Sequence, residues 1–270
     1  MNYTIEDIHR EDLKIFKEFL KICKKHKLNY YMIGGTFLGA IRHKGFIPWD
    51  DDMDIAMPRE DFNKLLEIAN NELPKNLRLI TFENNKEYRY YIPRIVNLET
   101  EIIEKRGEDK NKKINLFIDI FPIDGTPNNH ILRKIYYFRI LLNRMLISWY
   151  YFDEIDKCRK RKFYEKVLIK MGNILPTKKI INPKRRLKKI DKLLKKNKYE
   201  KSKNIGTIMG AYRTREIVPK EYFGKPTEYE FEDIKLTGPE KYDEYLTHMY
   251  GDYMTPPKNK YTNQHTVYKK

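Results

Sequence analysis

Hydrophobic and polar residues follow two different periods along the chain, and each period predicts a type of element. Behind Thr4, apolar residues recur every three or four positions among Lys and Glu, which predicts an amphipathic helix ending near His26. The next segment, 29–33, is rich in aromatic and β-prone residues and stops at a pair of glycines. We therefore predict a strand that runs into a tight glycine turn.

The same patterns divide the rest of the first half of the chain into short elements. Helices are predicted over 36–42 and 60–70. Strands are predicted over 53–57, 77–82, 90–97, 101–105 and 115–121, of which the last is apolar enough to lie in the middle of a sheet.

From residue 130 onward the spacing becomes helical. Helices are predicted over 131–152, 156–171 and 184–196. A strand or hairpin arm over 230–236, a helix over 239–250 and a loop over 251–270 complete the chain.

The composition is that of a globular protein. Of the 270 residues, 40% are hydrophobic and 13% aromatic, which excludes a disordered chain although 34% are charged. The net charge of +17 is concentrated, because residues 130–203 hold 24 basic and 6 acidic residues while the remainder holds 31 and 32. We therefore predict a nearly neutral core over 1–129, a basic helical insertion over 130–203, and a C-terminal part over 204–270, which the family resemblance described below implies to complete the active site.

Three features predict that the chain stays in the cytoplasm. Its first residues lack the continuous apolar stretch of a secretion signal. Cys23 and Cys158 form no CxxC pair and no disulfide framework. The longest apolar-rich stretch, 135–152, is interrupted by Arg139 and Arg144, which argues against a spanning helix.

Two aspartates one residue apart, Asp52 and Asp54, are the first candidates for chemistry. On a strand, their carboxylates would share one face and lie roughly 6–7 Å apart. Because paired carboxylates repel each other and burial raises their pKa, a bound cation is the natural means of keeping both ionised. Oxygen ligands favour Mg²⁺ or Mn²⁺, and no cysteine or histidine cluster indicates zinc.

A third acid is expected on a neighbouring strand. Asp119 lies between Ile118 and Ile120, and an aspartate in an apolar strand needs a partner. Asp119 has three possible roles. It is a ligand of the cation, or it is a buried carboxylate with hydrogen-bond partners in the protein, or it lies at a bend where the strand ends. Asp124, after Pro122, is predicted to be a turn residue.

Gly34 and Gly35 predict an anion site. They let the backbone approach a phosphate, and a helix capped by Thr36 would present free N–H groups to it. Arg42 and Lys44, just behind this helix, would meet phosphates or are ordinary surface charges. The glycine-containing segment is neither a Walker loop nor a dinucleotide-binding motif. The acidic residues that follow it in the sequence lack the spacing of an EF-hand.

Three blocks of the sequence resemble the LicD family, phosphotransferases of the nucleotidyltransferase superfamily that also include the fukutin-related enzymes. The blocks are GGTFLGAIRHKGFIPWDDDMDIAMPREDF over 34–62, FIDIFPIDGTP over 117–127, and FGKPTEYEFEDIKLTGPEKYDEYLTHMYGDYM with two following prolines over 223–257. Together they span the chain, and the stretch 130–203 contains no such block.

The resemblance implies an α+β fold in which a nucleotidyltransferase-like mixed β-sheet is flanked by helices. It also implies that a CDP-activated alcohol, most readily CDP-choline, donates its phospho-alcohol group to a glycan hydroxyl and releases CMP. The acceptor would be a teichoic acid, capsule or lipooligosaccharide precursor. The metal ligands carry over to Asp52 and Asp54, and Asp119 becomes the third acid or the proton acceptor. Asp50 belongs to the same motif and would orient the loop.

The resemblance further implies residues that contact the substrates. Gly34, Gly35 and Thr36 would line the nucleotide phosphates, and Arg42 or Lys44 would neutralise the leaving phosphate. A choline group requires aromatic faces. The candidates in matched or adjacent blocks are Trp49, Tyr212 and Tyr250, each of which can equally serve core packing, and His265 is a candidate for nucleotide contact or a surface residue.

The predicted helix 184–196 offers a use for the excess charge. Leu187, Ile190 and Leu194 share one face among Lys and Arg. This pattern is typical of a helix on an anionic membrane, here the inner face of the plasma membrane, and equally of a solvated basic helix packed by its apolar stripe.

Two other functions remain open at this point. One is a nucleic-acid-binding protein that uses the basic helices, which the lack of a nucleic-acid motif and the excess of Lys over Arg disfavour. The other is a nucleotidyltransferase that releases pyrophosphate instead of CMP.

Overall fold

The computed structural model describes residues 3–105, 111–152 and 176–256. The helices in these ranges are α1 (Ile5–His26), α2 (Gly34–His43), α3 (Arg59–Glu72), α4 (His130–Tyr150), α5 (Thr177–Ile180), α6 (Pro183–Leu194), α7 (Lys220–Phe223) and α8 (Tyr242–Tyr250). The strands are β1 (Tyr31–Met32), β2 (Asp54–Pro58), β3 (Leu77–Ile80), β4 (Arg94–Asn97), β5 (Ile102–Lys105), β6 (Asn111–Ile114), β7 (Phe117–Gly125), β8 (Asn204–Gly206), β9 (Ile217–Pro219), β10 (Thr227–Phe231) and β11 (Ile234–Gly238).

A mixed sheet in the order β1-β2-β7-β4-β3 lies at the centre of the protein. β2 and β7 are parallel, and the other neighbours in this order are antiparallel. A parallel pair needs a long crossover connection, which here includes α3 and the strands β3 to β6. The predicted mixed sheet flanked by helices, and the α+β class, are therefore confirmed.

α1 begins and ends where the hydrophobic pattern predicts. The Thr4 hydroxyl accepts a hydrogen bond from the Asp7 N–H at 3.2 Å, and the Asp7 carboxylate accepts one from the Thr4 N–H at 3.0 Å. Such a reciprocal cap stabilises a helix start by about 1 kcal/mol. The apolar face of α1, which includes Phe16 and Phe19, is fully buried in the main core.

A second apolar cluster lies between α4, α6 and the loops after β3 and β8. Its buried members are Phe82, Tyr91, Tyr136, Ile140, Leu187, Ile190, Leu193, Leu194 and Ile208. The apolar stripe predicted for the basic helix is thus present in α6 and faces the protein. The apolar stripe of this helix therefore packs against the protein and does not face a membrane.

Two elements begin at residues other than the predicted ones, and both differences affect the site. α2 begins at Gly34 rather than at Thr36, with Ile33 as its N-cap residue, so the glycines form the first turn of the helix instead of a separate turn. β2 begins at Asp54, so Asp52 precedes the strand and the prediction that both acids lie on one strand face was wrong.

The prediction that Asp124 is a turn residue was also wrong. Asp124 lies in β7 and is buried, and Arg59 of α3 donates to its two carboxylate oxygens at 2.7 and 2.5 Å. Burial raises the pKa of the Asp124 carboxyl, although Arg59 opposes this effect. The compensating charge lies 65 positions away in the sequence, so local turn signals could not indicate it.

The remaining predicted elements have mixed outcomes. The strand predicted over 230–236 corresponds to a hairpin of β10 and β11, and the last predicted helix to α8. The helix predicted over 156–171 lies outside the described residues. No helix in the described ranges is both long enough and apolar enough to cross a bilayer.

Candidate active site

Asp54 and Asp119 lie opposite each other on parallel strands. Asp54 is the first residue of β2, and its Cα is paired in register with that of Asp119 near the start of β7. Because neighbouring strands lie about 4.8 Å apart, this register brings two acids of distant sequence together at the amino end of the parallel pair. The expectation of a third acid on a neighbouring strand is met by this pairing.

The loop before β2 adds three more carboxylates. Asp50, Asp51 and Asp52 each offer an oxygen, and these oxygens lie within 4.8 Å of one another. The three side chains are half-buried. In the part of the chain that the structure describes, this is the group of acids close enough to share one cation. Of the three predicted metal ligands it contains Asp52, whereas Asp54 and Asp119 form the separate pair across β2 and β7.

The two glycines make room for carboxylates. A methyl group on Gly34, whose φ is +59°, would lie 2.8 Å from Asp54 Oδ2, and one on Gly35 would lie 2.1 Å from Asp50 Oδ2. Thr36 is buried, and its hydroxyl accepts a hydrogen bond from the Asp54 N–H at 2.8 Å. The first turn of α2 is therefore packed directly against the acids.

Arg94, which sequence reasoning did not single out, holds Asp119. It is the first residue of β4, and its guanidinium donates to both Asp119 oxygens at 2.7 and 3.3 Å. Its guanidinium also lies 3.6 Å from the ring centre of Phe117 and 5.1 Å from that of Tyr90. A signal was available in the sequence, since a cation at the start of an apolar strand needs a partner as much as Asp119 does.

α1 contributes two further residues that the sequence did not indicate as functional. His9 Nε2 donates to the backbone oxygen of Asp50 at 2.6 Å, and its ring stacks on Phe46 at 4.0 Å. Asp12 is 1% exposed, and neither of its carboxylate oxygens has a hydrogen-bond partner within the described ranges. An acid on the buried face of an amphipathic helix is the signal that could have identified Asp12.

The acids of the site perturb one another. Burial raises the pKa of Asp12, Asp52 and Asp54 well above the ordinary carboxyl range. Neighbouring carboxylates raise these pKa values further, Asp50 and Asp51 acting on Asp52, and Asp52 and Asp119 acting on Asp54. Without a counter-charge, the site therefore favours the protonated form of several of its own acids.

Tyr250 and Tyr212 border the acidic cluster. Their rings meet edge to face at 5.9 Å, and burial raises the pKa of Tyr250 with smaller contributions from Asp54 and Asp50. Buried Glu216, a residue not predicted from the sequence, accepts the Tyr212 N–H at 2.7 Å and fixes the loop that carries this ring. The structure thus places Tyr250 near the acids, and its contact with a substrate stays a prediction.

The other predicted substrate contacts are more dispersed. Arg42 lies at the C-terminal end of α2 and donates to the Tyr253 carbonyl at 3.0 Å, and Lys44 is the exposed left-handed residue that ends the helix. Trp49 packs against the main core with its ring edge-on to His43 at 6.1 Å. His265 lies outside the described residues. Arg42 and Lys44 are thus at the opposite end of α2 from the glycines, about 12–15 Å along the helix.

A cavity of about 300 Å³ opens beside Arg94. Its lining includes Arg89, Tyr90, Arg144 and Tyr151, and Tyr90 is the same ring that contacts the Arg94 guanidinium. The cavity therefore lies one side chain away from the Arg94–Asp119 pair, and it combines aromatic faces with cationic donors.

The fold and the site define an α+β protein with a carboxylate-rich candidate active site at one end of a mixed sheet. A family model described as "LicD/FKTN/FKRP, nucleotidyltransferase domain" matches residues 27–143. The lipopolysaccharide cholinephosphotransferase LicD of Haemophilus influenzae is 30% identical over 265 aligned positions, which cover 94% of this chain and 93% of that protein. The chain belongs to the LicD family and is a transferase.

Two shorter similarities involve proteins without an assigned activity. An uncharacterised protein of Rickettsia prowazekii is 32% identical over 101 residues, and one of Rickettsia typhi is 31% identical over 119 residues. These matches cover 37% and 44% of this chain, and only 35% and 36% of the Rickettsia proteins, so they add no information about activity.

Proposed function

We propose that this chain transfers phosphocholine from CDP-choline to a hydroxyl of a cell-surface glycan or teichoic acid precursor and releases CMP, with Mg²⁺ or Mn²⁺ as its cofactor. We place this reaction in the cytoplasm, where CDP-activated donors are available to the chain. The observation that supports the proposal best is the presence of five carboxylates around the start of β2, two of them packed against the first turn of α2, in a relative of a cholinephosphotransferase. These carboxylates belong to Asp50, Asp51, Asp52, Asp54 and Asp119.

The residues present fit a divalent cation of the Mg²⁺ type. All the candidate ligands are carboxylate oxygens, and three of them lie within 4.8 Å of one another. Buried Asp12, with both oxygens lacking a hydrogen-bond partner in the described ranges, indicates a region that is short of positive charge. When bound, a cation would neutralise the donor diphosphate and keep the carboxylates ionised.

The chain's own groups would then orient the reactants. The N–H groups at Gly34 and Gly35 would receive a donor phosphate beside Asp54. The acceptor hydroxyl oxygen forms a bond to the phosphorus of the phosphocholine group, and the bond from that phosphorus to the CMP oxygen breaks. The hydroxyl proton passes to Asp119, whose orientation Arg94 fixes through two hydrogen bonds.

Two neighbouring surfaces suit the two organic parts of the substrates. The edge-to-face pair of Tyr212 and Tyr250 would bind the quaternary ammonium of choline, which needs aromatic faces. The cavity beside Arg94, with its tyrosine rings and guanidinium donors, would receive the glycan acceptor.

The three-part organisation of the chain stays a prediction. We propose that 130–203 is an insertion in a nucleotidyltransferase-like core, because α4 and α6 pack on a cluster separate from the main core. The family match ends at residue 143, inside α4, and so extends a short way into this segment.

The proposal is tested by the product of the reaction. Purified chain is incubated with Mg²⁺ and a glycan extract, with CDP-choline as donor in one sample and CTP in a parallel one, and CMP and pyrophosphate are measured in both. We expect CMP release that needs both the cation and the acceptor, and a thermal shift with CDP-choline larger than with CDP-ethanolamine, CDP-glycerol or CDP-ribitol. Release of pyrophosphate in the CTP sample, with no CMP release from CDP-choline, would instead establish a nucleotidyltransferase.

We predict that stabilisation by Mg²⁺ increases with pH. The pKa values of Asp12, Asp52 and Asp54 are higher in the folded chain than in the unfolded one. Without a cation, the free energy of unfolding therefore falls as the pH rises from about 4 through the raised pKa values. At a hundredfold excess over Kd, Mg²⁺ adds about 2.7 kcal/mol, or about 5–10 °C in Tm, and this increment should be large at pH 8 and small at pH 5.

Thermal melts with EDTA and with Mg²⁺ across this pH range measure the increment. Asp233→Asn, at an exposed aspartate paired with Lys17, is the matched control and should leave the pH profile of the increment unchanged. Asp12→Asn should raise the Tm of the cation-free protein at pH 8. An increment that is independent of pH would contradict this account of the acids.

A further inference from the structure

α4 presents an apolar stripe to the solvent. Ile131, Ile135, Phe138 and Leu142 recur at intervals of four, three and four residues, which places them on one face of the helix, and all four are exposed. Ile131 is 68% exposed and Phe138 65%. Leu132 beside them is exposed as well. Soluble monomers seldom leave a contiguous row of large apolar side chains in water, so the stripe indicates an interaction surface.

The opposite face of α4 already supplies the packing that the helix needs. Tyr136, Ile140 and Asn143 are buried there, and the first two belong to the second apolar cluster with α6. The Asn143 side chain donates to the Arg139 carbonyl at 2.7 Å and receives Arg186 of α6 at 3.4 Å. The exposed stripe is therefore not the packing face of a displaced helix, because the packing face is occupied.

The charges around the stripe are of one sign. Lys134 and Arg139 are exposed and lie on either side of the stripe when 100° is counted per residue, and α4 contains no acidic residue. Long cationic side chains at such positions reach outward while their stems cover apolar surface. The helix α6, which packs on the opposite face of α4, has exposed cations of its own, which are Arg185, Lys188, Lys189 and Lys192.

We propose that the exposed face of α4 docks this protein on an anionic membrane surface, with the apolar stripe entering the headgroup region and the flanking cations contacting lipid phosphates. An apolar row flanked by cations is the surface that an interfacial helix presents to such a bilayer. The stripe extends about 16 Å along the helix, which is enough for three turns to lie in the interface plane. The docking element is thus α4 and not α6, since the apolar stripe of α6 is buried.

The experiment measures co-sedimentation of the full chain with vesicles of phosphatidylcholine, with and without phosphatidylglycerol. We expect binding to the anionic vesicles only, and a loss of about tenfold or more in partitioning for Ile131→Ser/Phe138→Ser. Leu98→Ser/Met254→Ser, at two other exposed apolar positions, is the matched control and should bind like the parent. Circular dichroism verifies that each variant is folded.

Two results would overturn the proposal. In the first, Lys188→Gln/Lys189→Gln/Lys192→Gln abolishes binding while Ile131→Ser/Phe138→Ser binds like the parent, which means adsorption by charge alone. In the second, Ile131→Ser/Phe138→Ser leaves vesicle binding intact and converts a dimer to a monomer in light scattering, which means that a second copy covers the stripe. Because the readout is binding and not turnover, either result leaves the proposed transferase reaction to its own test.

Discussion

Asp54→Asn and Asp52→Asn are expected to lower the rate of CMP release about a thousandfold or more while leaving the protein folded. The two carboxylates belong to the cluster proposed to hold the cation, and loss of several kcal/mol of transition-state stabilisation corresponds to about tenfold per 1.36 kcal/mol. Asn has the shape of Asp, so the packing of Gly34 against residue 54 and the bond from its N–H to Thr36 are retained.

The thermal stability of these variants shows whether activity is lost because a cation ligand is missing or because the protein is unfolded. The pKa of Asp54 is raised by burial and by Asp52 and Asp119, so a neutral amide removes an unfavourable charge. We expect the Tm of the cation-free variant to equal or exceed that of the parent, and the increment with Mg²⁺ to vanish. Asp233→Asn, at an exposed position, is the control and should retain both activity and increment. Normal turnover in Asp54→Asn would remove the proposed function.

Loss of the Arg59–Asp124 pair is expected to destabilise the protein more than any other single change discussed. The Arg59 side chain is 9% exposed and that of Asp124 3%, and Asp124→Ala leaves the guanidinium buried without its main partner. Removal of one member of a buried pair costs about 3–5 kcal/mol, so Tm should fall by about 6–20 °C. Tyr91 and Asp191, which share the network, cannot replace both hydrogen bonds.

Chemical denaturation of two further variants completes this test. Glu67→Ala, in the exposed pair with Lys64, should change the free energy of unfolding by no more than about 0.5 kcal/mol. The double variant Arg59→Met/Asp124→Leu should be more stable than Asp124→Ala, because no charge is then left buried. A cost for Asp124→Ala as small as that of Glu67→Ala would show that water reaches the pair.

Local patterns were sufficient for much of the secondary structure. α1 follows from a cap at Thr4 and an apolar face at a spacing of three and four, and both signals lie within a few residues of each other. The strand β7 follows from an apolar run in the same way, although it extends four residues beyond the predicted end at residue 121. The run of acids before β2 could be identified for the same reason, because a motif of consecutive residues is recognised without knowledge of the fold.

Signals at the boundaries between elements were less reliable. The pair of glycines suggested a turn, whereas both lie in the first turn of α2, Gly34 with a left-handed φ of +59°, and they admit the carboxylates of Asp54 and Asp50. The prediction of a turn at Asp124 was wrong for a similar reason. The nearby proline suggested a turn, whereas the partner that permits burial of Asp124 is Arg59, which is distant in the sequence. In both cases a contact across the fold overrides the local preference.

The sequence by itself determined the class of fold, the family blocks, and the acids at 50–54 and 119, because residue type and short-range spacing carry that information. The tertiary structure alone decided that Asp54 and Asp119 meet in register, that Arg94 holds Asp119, and that Asp12 of α1 lies buried near the acids. It also decided that the stripe of α6 is buried and that of α4 exposed. Periodicity shows that a helix has an apolar face, whereas only the packing of neighbouring elements shows whether protein or solvent covers it.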